Sequence, residues 1–241
     1  VFNLCLMVAR EKGRLPLKTV FIDQEAEWES TVDIIKEQMY NKDVEPLWFQ
    51  MPIRLFNATS NEEHWLFCWD EKAKEDWIHP RDPIAITENH YGTDRFKDIF
   101  GAILAADFSN TRVAFIGGMR AEESPFRAQG VTQDASYKGV TWARLWKGHN
   151  VDHISFWPIY DWSYTDVWKA IHDNGWSYND LYNKQFADGV SISDMRVSNV
   201  HHETAVKSLF VMQKYEPETY NRLVNRIKGI DMAAKMGSDD Y

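Results

Sequence analysis

Apolar and polar positions alternate along this chain in a way that predicts helices and strands in turn. "VFNLCLMVAREKG" places Val1, Leu4, Cys5 and Val8 on one helical face and Gly13 just past the helix end. "LKTVFID" (17–23) predicts a buried strand that ends in an acid, and "EWESTVDIIKEQMYN" (27–41) a helix with Trp28, Val32, Ile35 and Met39 at helical spacing. "PLWFQMPI" (46–53) predicts a further strand. Residues 54–95 break the rhythm with loop formers and four tryptophan and phenylalanine positions, Trp65, Phe67, Trp69 and Trp77, and read as an aromatic-rich insertion. The alternation then resumes: a helix in 94–108, a strand in "TRVAFIGG" (111–118), a short strand in "HISFWPIYDW" (153–162) and a helix in "SYTDVWKAIHDNG" (163–175). Ser163 and Asp166 stand at capping-box positions of that last helix and Gly175 closes it. Two helices divided at Pro217 fill 201–229. Residues 121–150 are polar and predict a loop, with 128–150 as a lid. Helix and strand in alternation point to an α/β fold: a twisted, mainly parallel sheet with helices on both faces.

Composition narrows the function classes. The chain has 241 residues, of which 44% are hydrophobic and 26% charged, enough for a sizeable core. The formal net charge of -9 argues against nonspecific nucleic-acid binding, whose affinity comes from Lys and Arg replacing counterions. Cys5 and Cys68 form no CxxC pair, so a reducing cytoplasm is the simpler setting. No apolar run approaches the ~20 residues of a membrane span. The first helix starts at full apolar strength without an N-cap, which predicts that an upstream element is absent from the sequence.

Candidate chemistry concentrates in "VAFIGGMRAEESPFRA" (113–128). An apolar strand ends in Gly117 and Gly118, and Arg120, Glu122, Glu123, Ser124 and Arg127 follow at once. In parallel sheets ligands bind outside the carboxyl ends of strands. Glycines allow close backbone approach, and the arginine forks suit phosphate or sulfate. The glutamates can orient those forks, and Ser124 can cap a helix starting near Pro125. A strand-to-helix turn with surface ion pairs is the plainer alternative, and it predicts no ligand. On either view the two arginines are expected to matter little for thermal stability. Arg144, Lys147, His149 and His153 surround the polar loop and either offer further anion contacts or form a solvated loop, and Arg196 is either a further anion contact or a partner of Asp194. His201 and His202 point to different sides of a helix and make a poor metal pair. Trp157, Trp162, Trp168 and Trp176 read mostly as core.

"IGGMRAEESPFRA" resembles the Gly-x-Arg-x-x-Glu-Ser-x-x-Arg segment of phosphoadenosine phosphosulfate (PAPS) reductases and their relatives. "ISFWPIYDWSYTDVWKAIHDNGWSYNDLYNKQFADGVSIS" is similar to their Pro-Leu-x-Asp-Trp-Thr-x-x-Asp-Val-Trp segment, and "VFIDQEAEW" to the strand whose terminal acid lies near the adenosine. Matches recur from about residue 17 to 195 in the family's order. The resemblance extends to the phage and accessory-element subgroup that includes immunoglobulin-binding regulator A type proteins. It places the chain in the adenine nucleotide alpha hydrolase-like, or PP-loop ATP pyrophosphatase, superfamily.

The resemblance implies one PAPS reductase-like nucleotide-binding domain over 1–241, lacking its first strand and phosphate loop, with an insertion at 54–95 and a C-terminal helical segment at 200–241. It implies a nucleotide site from Asp23, Gly117, Gly118, Arg120, Glu123, Ser124 and Arg127, with the strand ends at Asp23 and Gly117 on one edge of the sheet. Arg120 and Arg127 are the candidate catalytic residues, and Arg144, Lys147 and Arg196 are lid or anion contacts. ATP or PAPS is the implied ligand. Mg2+ is implied by that chemistry, with no metal site and no iron-sulfur cluster read in the chain. The implied reaction is attack at the alpha phosphate of ATP, with adenylation and pyrophosphate release, in the cytoplasm, or the host cytoplasm for a phage-encoded chain. Two alternatives stay open: a nucleotide-binding regulatory or phage–host interaction protein without catalysis, and a sulfonucleotide reductase whose cysteine lies outside this segment. The Glu-Cys-Gly-x-His tail that supplies the thiol in PAPS reductases has no counterpart here. The acceptor, and whether a protein partner or a second copy of the chain takes part, stay open too.

Overall fold

The computed structural model describes residues 1–238 other than 61, 133–136, 148, 149, 196, 198, 199 and 201–205. It is an α/β structure. Contacts divide the chain into two units, Val1–Arg14 with Phe100–Tyr178, and Leu15–Ile99 with Asn179–Tyr241.

The first unit contains α1 (Phe2–Glu11), all but the first turn of a helix that begins in the second unit, β5 (Ala114–Ile116), α4 (Pro125–Thr132), β6 (Ala143–Trp146), β7 (His153–Phe156) and α5 (Tyr164–Asn174). Its sheet has the order β5-β7-β6, with β5 parallel and β6 antiparallel to β7. Ser163 caps α5 in a capping box with Asp166, and Gly175 ends it in the left-handed conformation at φ 60°. α1 buries Leu6 and Ala9 and leaves Val8 54% exposed, so its inward face is not the predicted Val1, Leu4, Cys5 and Val8 stripe. The predicted loop 121–150 is also corrected, since it contains α4 and β6. The strand forms because "ARLW" (143–146) buries Ala143 and pairs along its length with His153–Phe156. Trp157, Trp162, Trp168 and Trp176 are half-buried rather than core.

The second unit contains β1 (Leu17–Ile22), α2 (Glu29–Met39), β2 (Val44–Phe49), β3 (Ile53–Phe56), β4 (Trp65–Cys68), the start of α3 (Phe96–Asp107), α6 (Leu181–Ala187), α7 (Val206–Tyr215), α8 (Pro217–Arg226) and α9 (Ile230–Ser238). β1 and β2 are parallel and in register from Leu17 opposite Val44 to Ile22 opposite Phe49. β3 and β4 form an antiparallel hairpin that runs from Ile53 into the 54–95 segment and buries Ile53, Leu55, Leu66 and Cys68 on one side. The tryptophans shut completely from water, Trp28, Trp48 and Trp69, all belong to this unit. β1, which leads to Asp23, pairs with β2, and β5, which leads to Gly117, pairs with β7.

Candidate functional site

In the first unit the chain leaves β5 through Gly117 and Gly118 and enters a short 3-10 turn, Ala121–Glu123, before α4. Both glycines lie close to neighbouring side chains, which would have to give by a few tenths of an ångström to admit a Cβ. A Cβ on Gly117 would stand 3.2 Å from Trp157 Cδ1, and one on Gly118 would stand 3.2 Å from Val1 Cγ2. The turn is then fastened by Ala121, whose amide donates to the Tyr160 carbonyl at 2.8 Å.

The charges of the turn are woven together. Arg120 Nη1 donates to Glu122 Oε2 at 2.8 Å and to the Trp162 carbonyl at 3.1 Å. Arg120 Nε lies 3.5 Å from Glu123 Oε1, and the other oxygen of Glu123 pairs with Arg127 Nη1. Glu123 thus holds both arginines. Glu122 also takes the Tyr164 amide at 2.5 Å, which ties the turn to the first residue of α5. Ser124 Oγ accepts from the Arg127 amide at 3.1 Å and caps α4. Burial separates the two arginines: the Arg120 side chain is 15% exposed and that of Arg127 is 52% exposed. Arg127 presents its guanidinium to solvent from a fixed base. Next to it Phe126 is 84% exposed.

The outer candidates fall differently. Arg144 lies on β6, donates to the Gly130 carbonyl at 3.2 Å and sits 5.7 Å from the centre of the Trp157 ring. Lys147 is exposed just after that strand. His153 is corrected: it is buried on β7, and its Nδ1 accepts from the Val113 amide at 3.2 Å, so it braces the sheet and does not face an anion. Arg196, His149, His201 and His202 lie outside the described residues.

In the second unit Asp23 is fully buried. Its Oδ2 accepts from Trp48 Nε1 and Gln50 Nε2, both at 2.9 Å. Its Oδ1 accepts from the Glu25 amide at 2.9 Å and lies 3.3 Å from His79 Nε2. Burial acts to raise the Asp23 carboxyl, but the charge of His79 and the hydrogen bonds prevail and hold it below its ordinary value of 3.8. Both oxygens are engaged within the protein. Sequence reasoning singled out Asp23 but passed over its partners. Glu25 and Glu27 were visible as an unusual acidic run, "DQEAE", but nothing local announces that His79 and Arg226 join them.

Neither thiol is set up as a nucleophile. Cys68 is buried, its Sγ lies 3.0 Å from the Gln24 carbonyl, and burial pushes its pKa well up from 9.0. Burial also raises Cys5. Among the described residues no three His, Cys, Asp or Glu side chains are grouped to hold a metal ion. Nor is any described helix long and apolar enough to cross a membrane.

A family model for the phosphoadenosine phosphosulfate reductase domain matches residues 1–198, which include the charged turn, Asp23 with Trp48, Gln50 and His79, and β1 to α5. The chain belongs to the PAPS reductase domain family. Residues 189–240 match a second model, a domain of unknown function (DUF3440). The chain is similar to the Uncharacterized protein YbdN of Escherichia coli (strain K12), at 24% identity over 241 residues that cover 95% of this chain and 58% of YbdN. It therefore spans well under two thirds of that relative's length. No solved structure matches. The family supports nucleotide-directed function, and its α/β fold agrees with the elements described above.

Proposed function

We propose that the turn Gly117–Arg127 binds the anionic end of an adenine nucleotide, ATP or PAPS. The observation that carries this is Glu123 between Arg120 and Arg127: one carboxylate fixes two guanidinium groups directly after a strand end, in a chain of a nucleotide-directed family. A pre-positioned fork loses little rotamer freedom on binding an oxyanion. Arg127 makes the exposed contact, and Arg120 shapes the turn from beneath. The amide and hydroxyl of Ser124, at the start of α4, add polar groups beside them. Gly117 and Gly118 serve the same site through close packing on Trp157 and Val1. Asp23 acts within its own unit, by organising Trp48, Gln50 and His79.

The chemistry proposed is substitution at the alpha phosphate of ATP, with adenylation of an acceptor and loss of pyrophosphate. Arg127 would stabilise negative charge that spreads onto the phosphoryl oxygens. The described residues offer no ligand set for Mg2+, and no step is assigned to it. Thiol-based reduction is the weaker reading, since Cys68 is buried and hydrogen-bonded and Cys5 is raised by burial. One observation favours a second reading, binding without catalysis: both forks already carry carboxylate partners. Calorimetric titration with ATP and with PAPS, followed by a pyrophosphate-release assay, tests the proposal. Binding with pyrophosphate release supports adenylation, binding alone supports the regulatory reading, and no binding of either nucleotide refutes both.

A further inference from the structure

Glu216 and Arg226 stand at the two ends of α8, and each grips a different point of the stretch leading from β1 into α2. The Glu216 carboxylate accepts from the amides of Glu29 at 2.7 Å and Ser30 at 3.1 Å. α2 has no side-chain cap of its own at Trp28. Glu216 thus satisfies two of the donors that a helix start leaves unpaired, at the end where the dipole favours an anion.

At the other end of α8, Arg226 binds Glu25 with two nitrogens, Nε at 2.7 Å from Oε1 and Nη2 at 3.1 Å from Oε2. Nη2 also donates to the Phe67 carbonyl at 2.7 Å. Glu25 is fully buried and has φ 63°, a conformation that residues other than glycine rarely adopt. The Trp69 amide completes its shell, donating to Oε2 at 2.7 Å. Between the two ends, Arg222 donates to the Ile78 carbonyl at 3.0 Å. One short helix therefore fastens the turn after β1, the start of α2, the end of β4 and the stretch around Ile78.

These partners divide along the two family matches. Glu216, Arg222 and Arg226 lie in the segment matched as a domain of unknown function, whereas the groups they bind lie in the segment matched as a PAPS reductase domain. We infer that the C-terminal segment is a latch on the reductase-like region: α8 holds residues 25–30 in their buried conformation through Arg226 on Glu25 and Glu216 on the first amides of α2. The latch works within the second unit and does not depend on nucleotide binding. Removing Arg226 leaves the buried Glu25 carboxylate without its countercharge, so the turn is expected to open.

Site-resolved hydrogen exchange on the full chain tests this. Arg226→Gln is expected to speed exchange of the Glu25 and Trp69 amides about tenfold to a hundredfold, the range for losing a charge-assisted bond. Arg226→Lys keeps the charge without the fork and falls between. Glu216→Ala speeds exchange at Glu29 and Ser30 in the same way. The amides of Gly117 and Ile154, bonded to Phe156 and Val113 carbonyls in the other unit, keep their rates. Unchanged exchange at all four target amides overturns the latch. So does equal acceleration throughout the second unit, including the β1–β2 ladder, because it would mean loss of general stability only. If Arg226→Gln does not fold, Arg226→Lys and Glu216→Ala decide between the same outcomes.

Discussion

His79 Nε2 lies 3.3 Å from Asp23 Oδ1, with the histidine side chain 12% exposed and the aspartate fully enclosed. Burial alone would lower the His79 pKa, but the Asp23 charge and contact outweigh it and raise it above 6.5. Glu25 adds to that effect, and Glu27, Cys68 and Arg226 belong to the same cluster.

The sign of the pH dependence follows from this pair. A histidine raised in the folded state contributes stability that is complete below 6.5 and is lost as pH rises through its folded value. Asp23, held below 3.8, contributes stability above that value and loses it as pH falls further. The thermal midpoint is therefore expected to fall as pH is raised from 6.5 towards 9. His79→Gln should flatten that slope. A midpoint that rises across the same range, or a slope unchanged by the substitution, contradicts the pairing.

Glu27 gives a second handle. It is 2% exposed, its Oε2 has no hydrogen-bond partner among the described residues, and burial, with the Asp23 charge, pushes its carboxyl well above 4.5. Burial and the Asp23 charge both disfavour the carboxylate, so an uncharged amide costs little in its place. Glu27→Gln should thus be neutral or stabilising at pH 8, by on the order of 1 kcal/mol. Chemical denaturation measures this, and a large loss would show that Glu27 carries a charge the fold requires.

The two arginines of the charged turn should separate in stability. Arg120 binds the Trp162 carbonyl and Glu122 from a mostly enclosed position, so Arg120→Ala is expected to cost about 1–3 kcal/mol. Arg127→Ala removes an exposed pair and should cost only ~0–1 kcal/mol. Sequence reasoning treated both as dispensable for folding, because a linear motif does not reveal that Trp162 offers a carbonyl beneath one of them. Equal midpoints for the two variants would contradict the observed difference in burial.

Ser163→Ala removes one half of the capping box with Asp166 and is expected to lower stability by about 1 kcal/mol. Helical content in thermal melts checks it, and an unchanged midpoint would mean that α5 is held by other contacts.

Elements with strong local signals were legible in the sequence. β1, α2, α5 and the break at Pro217 follow from periodicity, capping and proline, and α4 starts beside Ser124 as expected. Other features depend on long-range partners. β6 was hidden in a polar stretch because only pairing with β7 makes "ARLW" a strand. The inward face of α1 was misread because an apolar stripe does not say which part of it finds a neighbour. The sequence suggests His153 as an anion contact, yet its ring serves the Val113 amide, 40 residues away. The grip of Arg226 on Glu25 spans 201 residues, and no local pattern could have announced it.

The most direct test of the nucleotide reading is calorimetric titration of ATP into Arg127→Ala, because Arg127 adds least to the fold and most to the exposed face of the turn. Loss of one charge-assisted contact predicts affinity about tenfold to a hundredfold weaker than wild type, with the thermal midpoint nearly unchanged. Arg127→Lys should recover only part of it, since an ammonium cannot reproduce the fork. If Arg127→Ala binds both ATP and PAPS as tightly as the wild-type chain, the turn from Gly117 to Arg127 is a structural ion-pair network and not a nucleotide site.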